Sequence, residues 1–166
     1  MLNIVLLEPE IPENTGNIAR MCVGLNATLH LIKPYGFFLN NKHLKRSGLD
    51  YWKYLKLIEH DCYEEFINTI PKNTQVYYIT RYGTKIPNHL TFHMDIPTYF
   101  VFGKESSGIP KQILNHNKVH TIRIPTSINI RSLNLSNCVA IIGYEYVKQN
   151  KYKGLCQNEP HKPLID

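Results

Sequence analysis

Cysteine is sparse in this chain and unpaired in spacing. Cys22, Cys62, Cys138 and Cys156 stand far apart with no CxxC among them, so the signatures of a thiolate zinc site and of a disulfide framework are both missing. The eight histidines show no metal-ligand spacing, and none stands beside a nucleophile motif that would make it a general base, so no metal is expected. There is no GxGxxG after the first apolar run and no GxxxxGK[ST] anywhere, which removes the usual dinucleotide and P-loop readings. No apolar run is long enough to cross a bilayer. The first ten residues lack the basic start and small-residue cleavage site of a signal peptide, so a cytoplasmic protein with no membrane contact is expected. Internal repeats and low-complexity stretches are also lacking.

What is present describes one folded unit. A chain of 166 residues, 43% apolar and 19% charged, can bury one sizeable core. Acidic residues are in deficit, 13 against 19 lysines and arginines, and the net charge of +6 favours a polyanionic partner. Basic residues gather at Lys42 to Arg46 and again in Tyr51-Trp-Lys-Tyr-Leu-Lys56, where rings beside cations suit unstacked bases beside phosphates. A solvated basic face, with the aromatics in the core, accounts for the same residues.

Hydrophobic patterning predicts strands at Leu2–Leu7, Leu29–Lys33, Gln75–Thr80, Thr98–Phe102 and Val119–Ile124. Residues Glu8 to Glu13, with two prolines, read as a loop, and Asn14 as the cap of a helix whose Ile18, Met21, Cys22 and Leu25 share one stripe. Asp61 and Glu64 form a capping-box pattern for a helix to Ile70. Pro110 opens a short helix, and a final helix runs from about Asn134 to Lys148. Arg81 to Pro97 reads as irregular. This alternation predicts an α/β domain over residues 1–150, with a mostly parallel sheet covered by helices on both faces, and an extended tail over 151–166.

Three polar segments follow predicted strands, where such sheets bind ligands. They are Pro9 to Arg20, Phe102-Gly-Lys-Glu-Ser-Ser-Gly-Ile-Pro110, and the run Ile124-Pro125 through Arg131-Ser-Leu-Asn-Leu-Ser-Asn137. Gly103 and Gly108 allow close backbone approach or positive φ. Arg20, about 600° of helical rotation beyond Asn14, leaves the apolar stripe. As isolated features these residues have ordinary explanations: a helix cap, a tight turn, a solvated arginine.

In this order the three segments resemble the signature motifs of the SPOUT superfamily of RNA methyltransferases, in its SpoU branch, from Met1 to about Lys148. The opening residues, with Gly36-Phe37, Arg46-Ser-Gly-Leu-Asp-Tyr51 and Trp52, are similar to minimal members that 2′-O-methylate the wobble nucleotide of certain leucine tRNAs. The resemblance implies a C-terminal trefoil knot, a homodimer in which both subunits contribute to each site, S-adenosylmethionine as methyl donor, and a tRNA anticodon stem-loop as substrate, with no DNA partner. It implies cofactor contacts at Ile79, Gly103, Ile124 and Ser132, proton handling at Arg20, and substrate positioning or loop bracing by Asn14, Glu105 and Asn134. Methylation at another tRNA position or of ribosomal RNA remains open at this level, as does a knotted RNA-binding module without catalysis. The sequence departs from the pattern at Thr126-Ser-Ile-Asn-Ile130, where a Met-, Pro- and Asp-containing loop is more usual, and at Ile109, where leucine is commoner. The basic aromatic segment, with Lys45 and Arg46, is the expected anticodon contact.

Overall fold

The computed structural model describes residues 1–37 and 51–161. Strand β1 (Leu2–Leu7) is buried along its whole length and is the centre of the sheet. Its alternate side chains feed two separate cores, as the two-residue period of a strand requires. Ile4 and Leu6 join a cluster with Leu29, Leu31, Phe100 and Phe102, while Val5 and Leu7 join Ile32, Tyr99 and Val101 on the opposite face. A strand buried on both faces is continuous in its hydrophobicity, which is why the sequence reveals this one.

Helix α1 (Pro12–Gly24) returns the chain to β2 (Thr28–Ile32), and β3 (Lys56–His60) pairs outside β2. Helix α2 (Tyr63–Thr69) precedes β4 (Gln75–Ile79), then β5 (Thr98–Phe102), helix α3 (Lys111–His116), the two-residue β6 (Thr121–Ile122) and helix α4 (Leu135–Gln149). All pairings are parallel, in the order β3-β2-β1-β5-β4-β6. Helices α1 and α4 cover one face, and they approach so closely that a Cβ on Gly143 would lie 2.7 Å from Leu25 Cδ1. Phe66 of α2 and Leu114 of α3 pack into the other face. Among the described residues no helix is long and apolar enough to cross a membrane.

Several sequence expectations shift. Helix α1 starts at Pro12 rather than after Asn14, because proline at the first helical positions has no donor to lose and a preset φ. The cap of α2 lies one residue later than the pattern predicts: Cys62 Sγ accepts from the Glu65 amide, and the Glu65 carboxylate accepts from the Asp61 amide. Strand β3 has no counterpart among the predicted strands, since Lys56 and Glu59 interrupt its apolar pattern on an exposed edge. The predicted strand at Val119–Ile124 shrinks to two residues after a 3-10 turn over Lys118–His120. Beyond Asn150 the expected extended tail does not begin at once: residues 151–155 coil in consecutive turns, and Leu155 packs against the core.

Candidate functional site

Strand order reverses direction between β1 and β5, so the loops at their carboxyl ends part and leave a crevice. A cavity of about 390 Å³ opens there. Its walls come from four strand ends and the approach to α4: Asn14 after β1, Ile79 to Tyr82 at β4, Phe102 to Ile109 at β5, Arg123, Ile124 and Thr126 after β6, and Arg131 to Leu135 with Cys138. Its lining combines apolar Ile79, Ile124 and Leu133 with the hydroxyl residues Ser106, Ser107 and Ser132.

The loops are held by reciprocal carboxylate contacts. Glu105, after β5, accepts from the amides of Glu10 and Ile11 at 2.9 and 3.3 Å, while Glu10 accepts from the Ser106 amide and hydroxyl at 2.9 Å each. The Ser106 donors hold the Glu10 carboxyl below its usual pKa. Lys104 pairs with Glu8, which takes a left-handed backbone (φ 51°) at the end of β1, and the pair raises the lysine's pKa. Glu10 and Glu105 thus pin the first loop to the second from opposite sides.

Asn14 extends this clasp to the third loop. Its Nδ2 donates to Glu105 Oε1 at 3.0 Å, and its Oδ1 accepts from Asn134 Nδ2 at 3.0 Å. Asn134 in turn caps α4, its Oδ1 accepting from the Ser136 amide at 2.8 Å and hydroxyl at 2.7 Å. Each amide in this chain has one orientation that satisfies both neighbours, so the direction of donation is fixed from the helix end to the carboxylate. Asn14 is 5% exposed and is not the helix cap expected from its type; the start at Pro12 places it in the first turn, facing the other loops.

The two loop glycines have different reasons. Gly108 adopts φ 74°, whereas a Cβ on Gly103 would lie 2.1 Å from the Gly108 carbonyl carbon, so Gly103 lets the loop close upon itself. Cys138 at the cavity wall has its pKa raised by burial and donates to the Leu133 carbonyl. The Oγ1 of Thr126 is buried without a hydrogen-bond partner among the described residues. Among the described residues no group of histidine, cysteine and carboxylate side chains could hold a metal.

The structure therefore brings Ile79, Gly103, Ile124, Ser132, Asn14, Glu105 and Asn134 to one cavity. It does not bring Arg20 there. That side chain is exposed on α1 with its guanidinium 5.7 Å from the centre of the Tyr51 ring, and Tyr51 is a core residue whose hydroxyl donates to the Gly16 carbonyl. The expected anticodon segment lies partly outside the described residues, since Lys42 to Arg46 are not among them. Its described part, with a 3-10 turn at Trp52–Tyr54, does not line the cavity. Arg81, Tyr82 and Arg123 are cavity residues that sequence reasoning misses. The signal that could have found them is their place directly after strands, the same signal that marks the other three loops.

Residues 1–144 match the profile of the SpoU rRNA Methylase family. A protein of Mycoplasma genitalium carrying the name tRNA (cytidine(34)-2′-O)-methyltransferase is 47% identical over 157 residues, covering 93% of this chain and 95% of that relative. A crystal structure of an RNA methyltransferase from Bacillus anthracis superposes with a TM-score of 0.88 at 44% identity, covering 93% of this chain and 98% of the other. A structure concerned with 2-OH methylation of C/U34 on tRNA gives 0.85 at 38% identity, with 92% and 98% covered.

Proposed function

This chain belongs to the SpoU methylase family, and from that membership we propose that it transfers a methyl group from S-adenosylmethionine to the ribose 2′-hydroxyl of the wobble cytidine or uridine, position 34, of tRNA, leucine tRNAs among them. The identity of 47% to a relative bearing that activity in its name supports the substrate. The observation that carries the reading is the Glu105–Asn14–Asn134 chain, which ties the three motif loops around one cavity.

The cavity suits the donor. Its volume of about 390 Å³ lies within the range of small-ligand sites. Apolar Ile79 and Ile124 can flank an adenine, and the backbone near Gly103 with the Ser132 hydroxyl can meet its polar edges. When bound, S-adenosylmethionine supplies a methyl carbon already activated by a positively charged sulfur. What remains for the protein is to hold the 2′-oxygen in line behind that carbon and to assist loss of its proton. Arg20 takes that last role in this reading. A guanidinium stays protonated, so it acts by holding a substrate phosphate beside the hydroxyl and stabilising the developing negative charge, with the phosphate helping to take the proton.

In a single chain Arg20 does not reach the cavity, which favours a homodimer in which the guanidinium and the donor pocket come from different subunits. Exposed Ile141 and Tyr144 on α4 offer apolar surface for such pairing. Residues 1–150 form one catalytic domain in this account, working in the cytoplasm where tRNA is modified. Its C-terminal part threads a trefoil knot; close crossings suit such threading, as at Gly83, where a Cβ would lie 2.2 Å from the Ile122 carbonyl carbon.

Incubation with labelled S-adenosylmethionine and, in parallel, bulk tRNA or ribosomal RNA, followed by mapping of the modified nucleotide, tests the assignment. Label at the 2′-oxygen of nucleotide 34 is expected; label confined to ribosomal RNA or another tRNA position would replace the substrate, and none at all would leave a binding module. In the Arg20→Ala protein methylation should vanish while calorimetric donor binding stays near wild type.

A further inference from the structure

Beside the donor cavity runs a second cleft, walled by Arg81, Arg123 and Arg131 with Tyr82, Thr126 and Ile128. The three arginines, Tyr82 and Thr126 line both spaces, so whatever fills the cleft lies against the mouth of the cavity. Among the described residues no carboxylate lines the cleft, and none of the three guanidiniums forms an ion pair. Three uncompensated cations at one opening repel each other, and the natural relief is a polyanion.

Their placement is built into the sheet. The Thr80 amide donates to the Ile122 carbonyl at 2.9 Å, extending the β4–β6 pairing by one step and bringing Arg81 and Arg123 side by side. Arg123 Nη1 donates to the Arg81 carbonyl, and Arg81 lies over the Tyr82 ring, 4.7 Å from its centre, while donating to its hydroxyl. At the junction with the cavity the buried Thr126 hydroxyl has no partner among the described residues, a position that a ligand oxygen would satisfy. Beside the cations, Tyr82 is 59% exposed and Ile128 99% exposed, apolar surfaces suited to an unstacked base.

We infer that this cleft grips the phosphodiester backbone on either side of the nucleotide to be methylated, with Arg81, Arg123 and Arg131 on phosphates, the Thr126 hydroxyl donating to a backbone oxygen at the junction, and Tyr82 and Ile128 against a splayed base. The inference rests on the proposed RNA methylation and moves the main RNA contact from the Lys42–Lys56 segment to the ends of β4 and β6.

The test uses the whole protein and a synthetic anticodon stem-loop of leucine tRNA sequence, with binding followed by fluorescence anisotropy over a series of KCl concentrations. Each cation withdrawn from a phosphate of single-stranded RNA lowers the slope of log affinity against log salt by about 0.7, so R131Q should lower it by about 0.7 and R81Q/R123Q/R131Q by about 2. The corresponding triple lysine variant should keep the slope, which separates charge from folding. I128E sits at a fully exposed tip outside the donor cavity; it should weaken RNA binding about threefold at low salt and leave calorimetric S-adenosylmethionine affinity unchanged. If the wild type methylates tRNA while R131Q and I128E bind RNA with wild-type affinity and slope, the cleft is not the RNA site and the methyltransferase reading stands. If the wild type neither binds nor methylates RNA, that reading falls and takes the cleft with it.

Discussion

Replacing Asn14 by aspartate changes one atom group, the Nδ2 amide for an oxygen, and places that oxygen 3.0 Å from Glu105 Oε1. The acceptor role toward Asn134 survives, because Asn14 Oδ1 is retained in kind. Two carboxylates at this distance repel by about 5 kcal/mol at an effective dielectric constant near 20. Taking up a proton is the cheaper course: at pH 7, protonating a carboxyl of ordinary pKa costs about 4 kcal/mol, and the resulting O–H restores a donor to Glu105. The folded-state pKa of the new aspartate is therefore raised. Such a group is tolerated below the unfolded pKa near 4, and its penalty grows as pH rises, by about 1.4 kcal/mol per unit, until the folded pKa is passed. Urea unfolding of wild type and N14D at pH 5, 6 and 7, at one protein concentration because association shifts apparent stability, should show a difference near 1.5 kcal/mol at pH 5 rising to about 4 kcal/mol at pH 7. Titration of other groups is common to both proteins and cancels. A difference that stays flat over this range would mean that Asn14 and Glu105 do not touch, and the clasp linking the loops would have to be abandoned.

Other residues give further outcomes. His30 is 4% exposed, stacked on His60 with ring nitrogens 3.0 Å apart, and burial followed by the His60 charge lowers its pKa to about 4. A histidine depressed in the folded state loses its contribution as pH falls below the unfolded value near 6.5, so stability should fall by on the order of 3 kcal/mol between pH 6.5 and 4, and His30→Leu should flatten that profile in urea titrations. Gly103→Ala forces a Cβ to 2.1 Å from the Gly108 backbone and should cost at least about 2 kcal/mol and abolish calorimetric donor binding, whereas Gly24→Ala, with nothing within 4 Å, should be neutral; equal effects would undo the account of the loop. Mixing Arg20→Ala with Ser132→Trp, each inactive alone, should restore about a quarter of wild-type methylation, since half of randomly formed dimers carry one intact composite site. No recovery after confirmed subunit exchange would place Arg20 and the donor pocket in the same chain.

The central strand, α1's apolar stripe and the final helix are legible because each repeats a local period that burial reads directly: continuous in Leu2–Leu7, three-to-four in Ile18, Cys22 and Leu25, and again in Val139, Ile142 and Tyr146. Edge strand β3 is not, since one side of an edge strand faces water and carries no such signal. The motif residues can be named in sequence, but their partners cannot. Asn14 looks like a cap because asparagine commonly is one, and only the approach of Glu105, 91 positions away, turns it into a tie between loops.

By itself the order of residues determined an α/β domain with ligand loops at strand ends, because periodicity, turn chemistry and motif spacing are properties of neighbours in the chain. The tertiary structure alone decided that Arg81 and Arg123 stand side by side and that Arg20 lies outside the cavity of its own chain. Those facts depend on which strands pair, and parallel pairing joins residues far apart in sequence through backbone hydrogen bonds that leave no trace in the side chains on either strand.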